Sequence, residues 1–274
     1  MSIRSAVKTK TIAFIALTII WIGYVTADDS GVLYGVRAAN QKLTFRMLDL
    51  ASLQPAQDKG SMALNAQERL AGIFQNPDRS VGVLRISTNS ASSLKALVQM
   101  AGLPGVLVNA SSSRISGLTS AYAISSLSVP ASGLPLALVA QYSDTPSYRL
   151  MNVDLTSGAV TPLAIKLNPM LRYAHLTQCP GGGLYALSLA PQSEVRLVRF
   201  DLDTLLVAKL ALLQFSGQSV RQDVSDLACN ATGQLYALSD IKTSGVNSVL
   251  RVDVANGTMT WVRDFDVDRF VFVK

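Results

Sequence analysis

The chain has 274 residues, 49% of them hydrophobic and 15% charged, with a formal net charge of +6. Its length allows one large domain or two small ones. No block of five like charges occurs. Because nucleic-acid-binding proteins carry a clustered basic stripe, the composition argues against a nucleic-acid partner.

The first 27 residues are typical of an export signal. Arg4, Lys8 and Lys10 precede an apolar run at 11–25, and small residues follow up to Ala27. This order predicts a signal peptide (1–27) cleaved after Ala27, with an uncleaved signal anchor as the alternative. The run is short for a transmembrane span, which needs about 20 apolar residues. We expect an extracytoplasmic protein, periplasmic, lumenal or secreted, that is membrane-associated only if this segment is retained.

The remainder, residues 28–274, is predicted to form one domain built from repeats. The segments "CPGGGLYALS" and "CNATGQLYALS" lie about fifty residues apart and share a cysteine, a glycine turn and LYALS. Five such units open with a leucine, at Leu33, Leu70, Leu136, Leu184 and Leu235. A strand ends 16 to 18 residues after each leucine, at Asp49, Ser87, Asp154, Asp201 and Asp253. So constant a spacing indicates a repeat architecture.

Each unit has the pattern of four short strands. In the last unit these are expected at 224–229, 235–240, 248–254 and 258–265. Apolar and polar residues alternate in the third of them, and Asn-Gly, Ser-Gly and Thr-Gly pairs supply tight turns. Radial repetition of four-stranded sheets with a period near 50 residues is typical of a β-propeller. We therefore predict an all-β, five-bladed β-propeller, with blade strands numbered 1 to 4 from the axis outward.

The two ends of the predicted domain complement each other. The first unit begins at its second strand, because "DDSGVLYGV" matches "NATGQLYAL" from the turn between strands 1 and 2 onward. The C-terminus carries one additional strand at 268–274. If that strand joins blade 1, it supplies the missing innermost strand and closes the ring, which removes unpaired sheet edges.

The repeats resemble a known superfamily. The segments "VDLTSG" and "LRVDVANGTMTW" are similar to the strand–turn–strand of YVTN and quinoprotein-type propeller repeats. The resemblance covers all five units and implies the architecture alone. The tryptophans that stack on the quinone cofactor in that family have no counterpart, since Trp21 and Trp261 are the only tryptophans. We therefore expect no cofactor.

The two cysteines are candidates for a disulfide. Cys179 and Cys229 end the innermost strands of adjacent units, on the face that carries the turns between strands 1 and 2. Neighbouring innermost strands converge at the axis, so a bridge is geometrically possible, and export permits it. The alternative is a pair of buried thiols that repeat because the unit was duplicated.

Few residues suggest catalysis. His175 is the only histidine, and we expect it to pack or to line the channel. Glu68 and Glu194 are the only glutamates, expected in a 1–2 turn and a 2–3 loop, and neither has a recognisable carboxylate partner of the kind glycosidases use. No nucleophile elbow, phosphate loop or H-E-x-x-H motif occurs. A glycosidase-type or lactonase-type hydrolase with its site at the channel is therefore the alternative function.

The run "DFDVDRF" places Asp264, Asp266 and Asp268 at alternate positions. One interpretation is a calcium-binding ridge, because hard cations prefer several carboxylate oxygens. The glycine and the later glutamate of an EF-hand loop are missing. The preferred interpretation is a strand with one solvated face.

One interval departs from the repeat. The distance from Ser87 to Asp154 is longer than the following two, and the excess falls at 101–122. We place this segment before the innermost strand of blade 3, on the face where propellers usually bind ligands, and interpret it as a recognition loop instead of a spacer. Its candidate partner-binding residues are Leu103, Val106, Leu107, Val108 and Arg114.

The preferred function is therefore that of an exported, non-catalytic β-propeller. It would act as a binding or scaffold module whose partner is a protein or a membrane-associated complex.

Overall fold

A computed structural model describes residues 31–75, 81–87, 95–101, 112–115, 118, 122–129, 134–141, 147–189, 194–221 and 224–273. The regular secondary structure in these ranges is all β, without a helix. Consequently no described helix is long and apolar enough to cross a membrane. The predicted signal segment 1–27 lies outside the described residues.

The strands of the described ranges form five sheets, named here in chain order; four are antiparallel and the last is mixed. The first two have the spatial orders β22-β1-β2-β3 and β4-β5-β6-β7. Their strands are β1 (Val32–Ala39), β2 (Lys42–Asp49), β3 (Gln57–Ala63), β22 (Arg269–Val273), β4 (Glu68–Gln75), β5 (Val81–Ser87), β6 (Lys95–Ala101) and β7 (Ser112–Arg114).

The next two sheets have the orders β8-β9-β10-β11 and β12-β13-β14-β15. Their strands are β8 (Tyr122–Ser128), β9 (Leu136–Gln141), β10 (Ser147–Val153), β11 (Val160–Pro162), β12 (Arg172–Gln178), β13 (Leu184–Leu189), β14 (Val195–Asp201) and β15 (Leu206–Leu212).

The last sheet has six strands, in the order β18-β19-β20-β21-β16-β17. Its strands are β18 (Val224–Cys229), β19 (Leu235–Ser239), β20 (Ser248–Val252), β21 (Thr258–Asp264), β16 (Gln214–Phe215) and β17 (Gln218–Ser219). β16 pairs in parallel with the outer edge of β21. A free edge strand offers unpaired backbone groups, and this short segment covers part of one.

The sheets are arranged as a β-propeller, and the four sheets of four strands are blades. One strand from each of the five sheets faces the axis: β22, β4, β8, β12 and β18. Each of these innermost strands contacts two others, in the sequence β22, β4, β8, β12, β18 and back to β22. The C-terminal strand β22 pairs antiparallel with β1, from Val32 opposite Val273 to Val36 opposite Arg269.

The core lies between neighbouring sheets. In β9, Leu136 and Leu138 pack into the cluster shared with β12–β15, whereas Ala137 and Val139 pack into the cluster shared with β4–β7. Successive side chains of a strand point to opposite faces, so a strand buried on both faces is apolar at every position. This explains why "LALV" and "LYALS" lack polar alternation.

The repeated aspartate has a structural role. At the end of the third blade strand, Asp154 and Asp253 each accept a hydrogen bond from the backbone N–H two residues later, at 2.8 and 2.9 Å. Asp49 and Asp201 make the same contact at 3.0 Å. Such Asx turns fix the tight connection to the fourth strand. The Ser157 hydroxyl and the backbone N–H groups of that turn hold the pKa of Asp154 below its usual range.

The prediction for the second unit was shifted by one strand. Leu70 lies in the innermost strand β4, and Ser87 ends the second strand β5, whereas the repeat alignment placed them in strands 2 and 3. The third and fourth strands, β6 and β7, therefore account for the long interval that follows. The segment 101–122 contains β7, and residues 102–111 connect strand 3 to strand 4 instead of preceding the innermost strand of blade 3.

Gly257 offers a test of the packing between two sheets. Its φ of +78° is left-handed, and an added Cβ would collide with the Leu212 carbonyl. Gly217 has a φ of +77° but open space around it. We expect Gly217→Ala to cost about 1–2 kcal/mol for the left-handed backbone alone. Gly257→Ala should cost about 2 kcal/mol more because of the collision, measured by urea denaturation. Equal losses of stability in the two variants would contradict the close approach of Gly257 to Leu212.

Candidate functional site

The innermost strands surround an axial cavity of about 350 Å³. Residues from β4, β8, β12, β18 and β22 line it, together with the turn that follows β12. Within that turn Pro180, Gly181 and Gly182 are exposed, so the cavity opens at the face carrying the 1–2 turns. The mouth of this cavity therefore lies on the face opposite the one predicted for the segment 101–122.

Irregularities in the innermost strands shape this cavity. The pairing of β4, β8, β12 and β18 with their second strands shifts in register, at Ala71, Ser125, His175 and Ser225. His175 has a φ of +57°, a left-handed conformation that is uncommon for residues other than glycine. A bulge re-aims side chains locally. The bulge at His175 brings this residue into the cavity lining, one of the two positions that the sequence predicted for it.

Polar side chains connect the innermost strands. The Ser126 hydroxyl accepts a hydrogen bond from the Leu176 N–H at 3.0 Å, and the Ser128 hydroxyl accepts one from the Gln178 N–H at 2.9 Å. The axial edge of an innermost strand has no further strand to pair with, and buried backbone groups need partners. These serines of β8 provide such partners for β12.

Asp226 connects the next pair of strands in the same way. Its Oδ2 accepts a hydrogen bond from the Phe270 N–H at 3.0 Å, which joins β18 to β22. Its Oδ1 accepts one from the Leu227 N–H at 3.0 Å. His175 Nδ1 lies 3.6 Å from Oδ1, which is longer than a hydrogen bond. The Asp226 carboxylate is therefore already engaged by backbone donors.

Arg269 lies beyond the deep end of the cavity. Its guanidinium donates to three backbone carbonyls, those of Ala71 at 3.2 Å, Ser225 at 2.8 Å and Asp268 at 2.7 Å. Ala71 and Ser225 are residues at which the register shifts, on β4 and β18. The side chain thus bridges the two innermost strands on either side of β22.

Cys179 and Cys229 are paired at disulfide distance, with their Cα atoms 5.2 Å apart. They join the ends of β12 and β18, and both residues line the cavity near its mouth. The two cysteines that the repeat marked as a candidate pair therefore do lie within disulfide distance. Its location pins two neighbouring innermost strands together at the axis.

The three aspartates of "DFDVDRF" have separate partners. Asp264 accepts hydrogen bonds from Lys242, Ser248 and Trp261. Burial alone would raise the pKa of its carboxyl, but these three hydrogen bonds outweigh that effect and hold the pKa below its usual range.

The other two aspartates contact residues of the first sheet. Asp266 pairs with the guanidinium groups of Arg37 and Arg46, and Asp268 accepts a hydrogen bond from the Ala38 N–H at 2.7 Å. Within the described ranges, no group of three or more His, Cys, Asp and Glu is placed to hold a metal ion. The intervening Phe265 and Val267 are buried, as the alternation predicted, although they lie in a connection instead of a strand.

The remaining candidates are dispersed. Glu68 begins β4 and pairs with Arg85 at 2.8 Å, so its predicted position in a 1–2 turn was wrong. Glu194 precedes β14 and is not among the residues of the cavity. Arg114 ends β7. The other partner-binding candidates lie outside the described residues: Leu103, Val106, Leu107 and Val108.

An apolar turn is exposed on the fourth sheet. Leu202, Leu205 and Leu206 have exposed fractions of 38%, 39% and 65% and lie at the connection of β14 to the outermost strand β15. Leu205 is held in a left-handed conformation with a φ of +57°. We call these three residues the leucine turn. Three exposed leucines within five residues exceed the isolated apolar side chains that are normal on a surface.

Sequence reasoning identified His175 but missed Asp226 and Arg269. Asp226 is the first residue of β18 to line the cavity, and Arg269 begins β22 directly before the lining residue Phe270. The available signal for Asp226 was an acidic residue in the mostly apolar segment "VSDLAC", three residues before a cysteine. Charged residues are rarely buried without partners, so this one required an explanation.

No family model and no curated protein matches the sequence. A protein of unknown function from Bacteroides caccae is similar in structure, with a TM-score of 0.50 and 9% identity over 89% of this chain and 99% of that chain. A puromycin hydrolase has a TM-score of 0.47 and 12% identity over 87% of this chain and 36% of that chain. The calcium-binding protein regucalcin from Agrobacterium tumefaciens has a TM-score of 0.43 and 12% identity over 88% of this chain and 78% of that chain. At 9% identity, the similarity to the Bacteroides caccae protein concerns the fold alone.

Proposed function

We propose that the chain forms a closed, five-bladed ring of the YVTN and quinoprotein-like repeat type. In this proposal the six-stranded sheet is the fifth blade, and β22 completes the first blade. The continuous contacts among the five innermost strands support it, as does the pairing of β22 with β1. In a closed ring every blade packs against a neighbour on both faces. This accounts for the apolar clusters found on both sides of each sheet.

We propose further that this propeller is an exported, non-catalytic binding module for a partner protein. The observation that carries the proposal is the leucine turn, because exposed apolar patches of this kind are typical of protein interaction sites. The outer edge of β15 beside the turn has no paired strand among the described residues. The disulfide is compatible with an oxidising, extracytoplasmic compartment.

The axial cavity favours this assignment over a hydrolase. Glycosidases need two carboxyl groups that flank the scissile bond. Among the residues that line the cavity, Asp226 is the one carboxylate, and both of its oxygens accept backbone hydrogen bonds. Its position therefore serves the connection between β18 and β22.

The test is recovery of the partner with a leucine-turn variant. We expect Leu202→Ser with Leu206→Ser to reduce crosslinked partner recovered from the exported fraction by about tenfold, which corresponds to about 1.4 kcal/mol of binding energy. Leu206→Ser should change the folding stability by less than about 0.5 kcal/mol, because Leu206 is 65% exposed. Leu202→Ser should cost about 1 kcal/mol, because more than half of the Leu202 side chain is buried. Mass spectrometry of the crosslinked material identifies the partner.

Met170→Ser is the matched control, since Met170 is 70% exposed and lies in a different connection. It should leave partner recovery unchanged. Full recovery with the double variant would contradict the role of the leucine turn. The next segment to replace would then be 102–111, with a short Gly/Ser linker that leaves β6 and β7 intact, because it carries Leu103, Val106, Leu107 and Val108.

A further inference from the structure

We propose that the partner protein binds by strand addition, with an extended segment that pairs with the outer edge of β15. In this proposal the partner segment is apolar, carries one acidic residue opposite Lys209, and lies beside the leucine turn. The inference rests on the proposed function and deepens it, because it specifies how the partner binds. In this mode of recognition main-chain hydrogen bonds provide the affinity, and side chains at alternate positions provide the specificity.

The outer edge of β15 differs from the outer edges of the other four sheets. β7 and β11 have three residues each, and β11 ends with Pro162, which has no N–H to donate. β3 carries adjacent charges at Asp58 and Lys59, where its pairing with β2 shifts in register. In the last sheet, β16 covers the start of β21. Short strands, proline, charges, bulges and covering segments all protect a sheet edge from further pairing.

β15 has seven residues, and six of them are apolar, with Lys209 as the exception. Its pairing with β14 is regular from Leu206 to Lys209, opposite Asp201 to Val198, and shifts in register after Lys209. In an antiparallel pair, alternate residues direct their N–H and C=O groups away from the partner strand. No described strand adjoins the outer edge of β15. Its regular part therefore presents backbone donors and acceptors for a further strand.

Two neighbouring features bound this edge. Beyond the register shift, Gly257 closely approaches the Leu212 carbonyl, and the Gln214 N–H donates to the Gly257 carbonyl at 2.9 Å. The last sheet thus covers the end of β15. The start of β15 adjoins the leucine turn. The accessible edge therefore consists of Leu206–Lys209 and is continuous with the exposed leucines.

The side chains of this edge select the chemistry of the partner segment. Leu206 is 65% exposed, and Ala208 and Lys209 are exposed beside it. Lys209 makes no salt bridge with another described residue. Opposite charges across a strand pair are stabilising, whereas like charges are destabilising. An apolar segment with one acidic residue therefore complements this edge.

A second copy of the chain complements the edge less well. In full antiparallel overlap of two Leu206–Lys209 edges, each Lys209 lies opposite Leu206 of the other copy. Neither lysine then gains a counter-charge. A partner segment with an acidic residue supplies that counter-charge and still places apolar residues opposite Leu206 and Val207. The edge therefore favours a different protein over a second copy.

The experiment measures binding of synthetic peptides to the exported protein by fluorescence anisotropy. The probes are peptides of alternating valine and threonine that differ only in a central glutamate or lysine. We expect the glutamate peptide to bind at least about fivefold more tightly than the lysine peptide. N-methylation of alternate amides in the glutamate peptide keeps its side chains but removes the backbone donors, so binding should be lost. Absence of binding by the glutamate peptide, no preference for glutamate, or equal binding of the methylated peptide would overturn the proposal.

Lys209→Glu reverses the charge of the edge at an exposed position. The lysine peptide should then bind more tightly than the glutamate peptide, again by about fivefold. Lys166→Glu is the matched control, because Lys166 is exposed in the connection between β11 and β12. It should leave the order of the two peptides unchanged. The same order in wild type and in Lys209→Glu would place the binding elsewhere and overturn the proposal.

Partner recovery separates this inference from the function on which it rests. Lys209→Glu should reduce recovery of the crosslinked partner by at least about fivefold. If the leucine-turn variant loses the partner but Lys209→Glu retains it, strand addition is wrong and the binding module stands. Sedimentation of the wild type alone should show a monomer. A dimer that dissociates in Lys209→Glu would assign the edge to a second copy and overturn the proposal.

Discussion

Deletion of 269–274 should abolish cooperative folding. The deleted segment contains β22, which covers the edge of β1 and contacts β4 and β18. It also carries two buried phenylalanines, Phe270 and Phe272, with exposed fractions of 1% and 5%. Truncation of one buried phenylalanine to alanine costs about 3–5 kcal/mol. Loss of both is comparable to the whole stability of a typical domain, about 5–15 kcal/mol.

Loss of β22 also leaves polar groups without partners. The Oδ2 atom of Asp226 loses the Phe270 N–H, and the carbonyls of Ala71 and Ser225 lose Arg269. An unsatisfied buried polar group costs about 1–3 kcal/mol. The unpaired β1 edge would promote association between chains. We therefore expect aggregation in size-exclusion chromatography and no cooperative urea transition.

Two variants calibrate this deletion. Removal of Lys274 alone is the control and should leave the urea midpoint unchanged, because all residues of β22 remain. Phe270→Ala keeps the strand and should cost about 3–5 kcal/mol with the transition still cooperative. A chain lacking 269–274 that remained monomeric with unchanged melting would show that β22 does not close the ring.

Replacing both cysteines with alanine should lower the stability by about 4 kcal/mol. The Cys179–Cys229 bond spans 50 residues of sequence. On the chain-entropy model, a loop of that length constrains the unfolded state by about this amount. The loss is large relative to the total stability of a domain, so the urea midpoint should fall clearly. Alanine avoids placing a new hydroxyl at the buried Cys179 position.

Reduction provides the internal comparison for the cysteine prediction. Wild-type protein in dithiothreitol should lose stability by the same amount as the double alanine variant, and the variant itself should not respond to dithiothreitol. Equal urea midpoints for oxidised and reduced wild type would show that the two thiols are unbonded in solution. The single variant Cys229→Ala should match the double variant in midpoint, since either change removes the bond.

The strands of the last repeat unit show what local sequence can predict. The expected spans 224–229, 235–240, 248–254 and 258–265 agree with β18 to β21 within two residues. Turn residues and strand length are local properties, and this unit combines clear Asn-Gly and Thr-Gly turns with short apolar runs. The cysteine pairing was predictable for the same reason, because each cysteine marks the same end of its innermost strand.

The second unit shows where local sequence is ambiguous. The segment around Leu70 was aligned with second strands, but β4 lies at the axis. In a propeller, first and second strands are both buried on two faces, so their composition is nearly the same. Only the packing at the axis distinguishes them. The resulting shift of one strand also produced the apparent insertion at 101–122.

The sequence by itself determined the repeat and the all-β propeller architecture, because these depend on periodic spacing and turn chemistry. It also indicated the two cysteines as candidates for a disulfide and His175 as a packed or channel-lining residue. Only the tertiary structure brought Asp226 and Arg269 to the same axis as His175, and only it revealed the unsatisfied Gln178 oxygen and the open face of the cavity. These residues belong to separate innermost strands, and the distances between those strands depend on how the sheets pack around the axis. Strand period and turn signals carry no information about those distances.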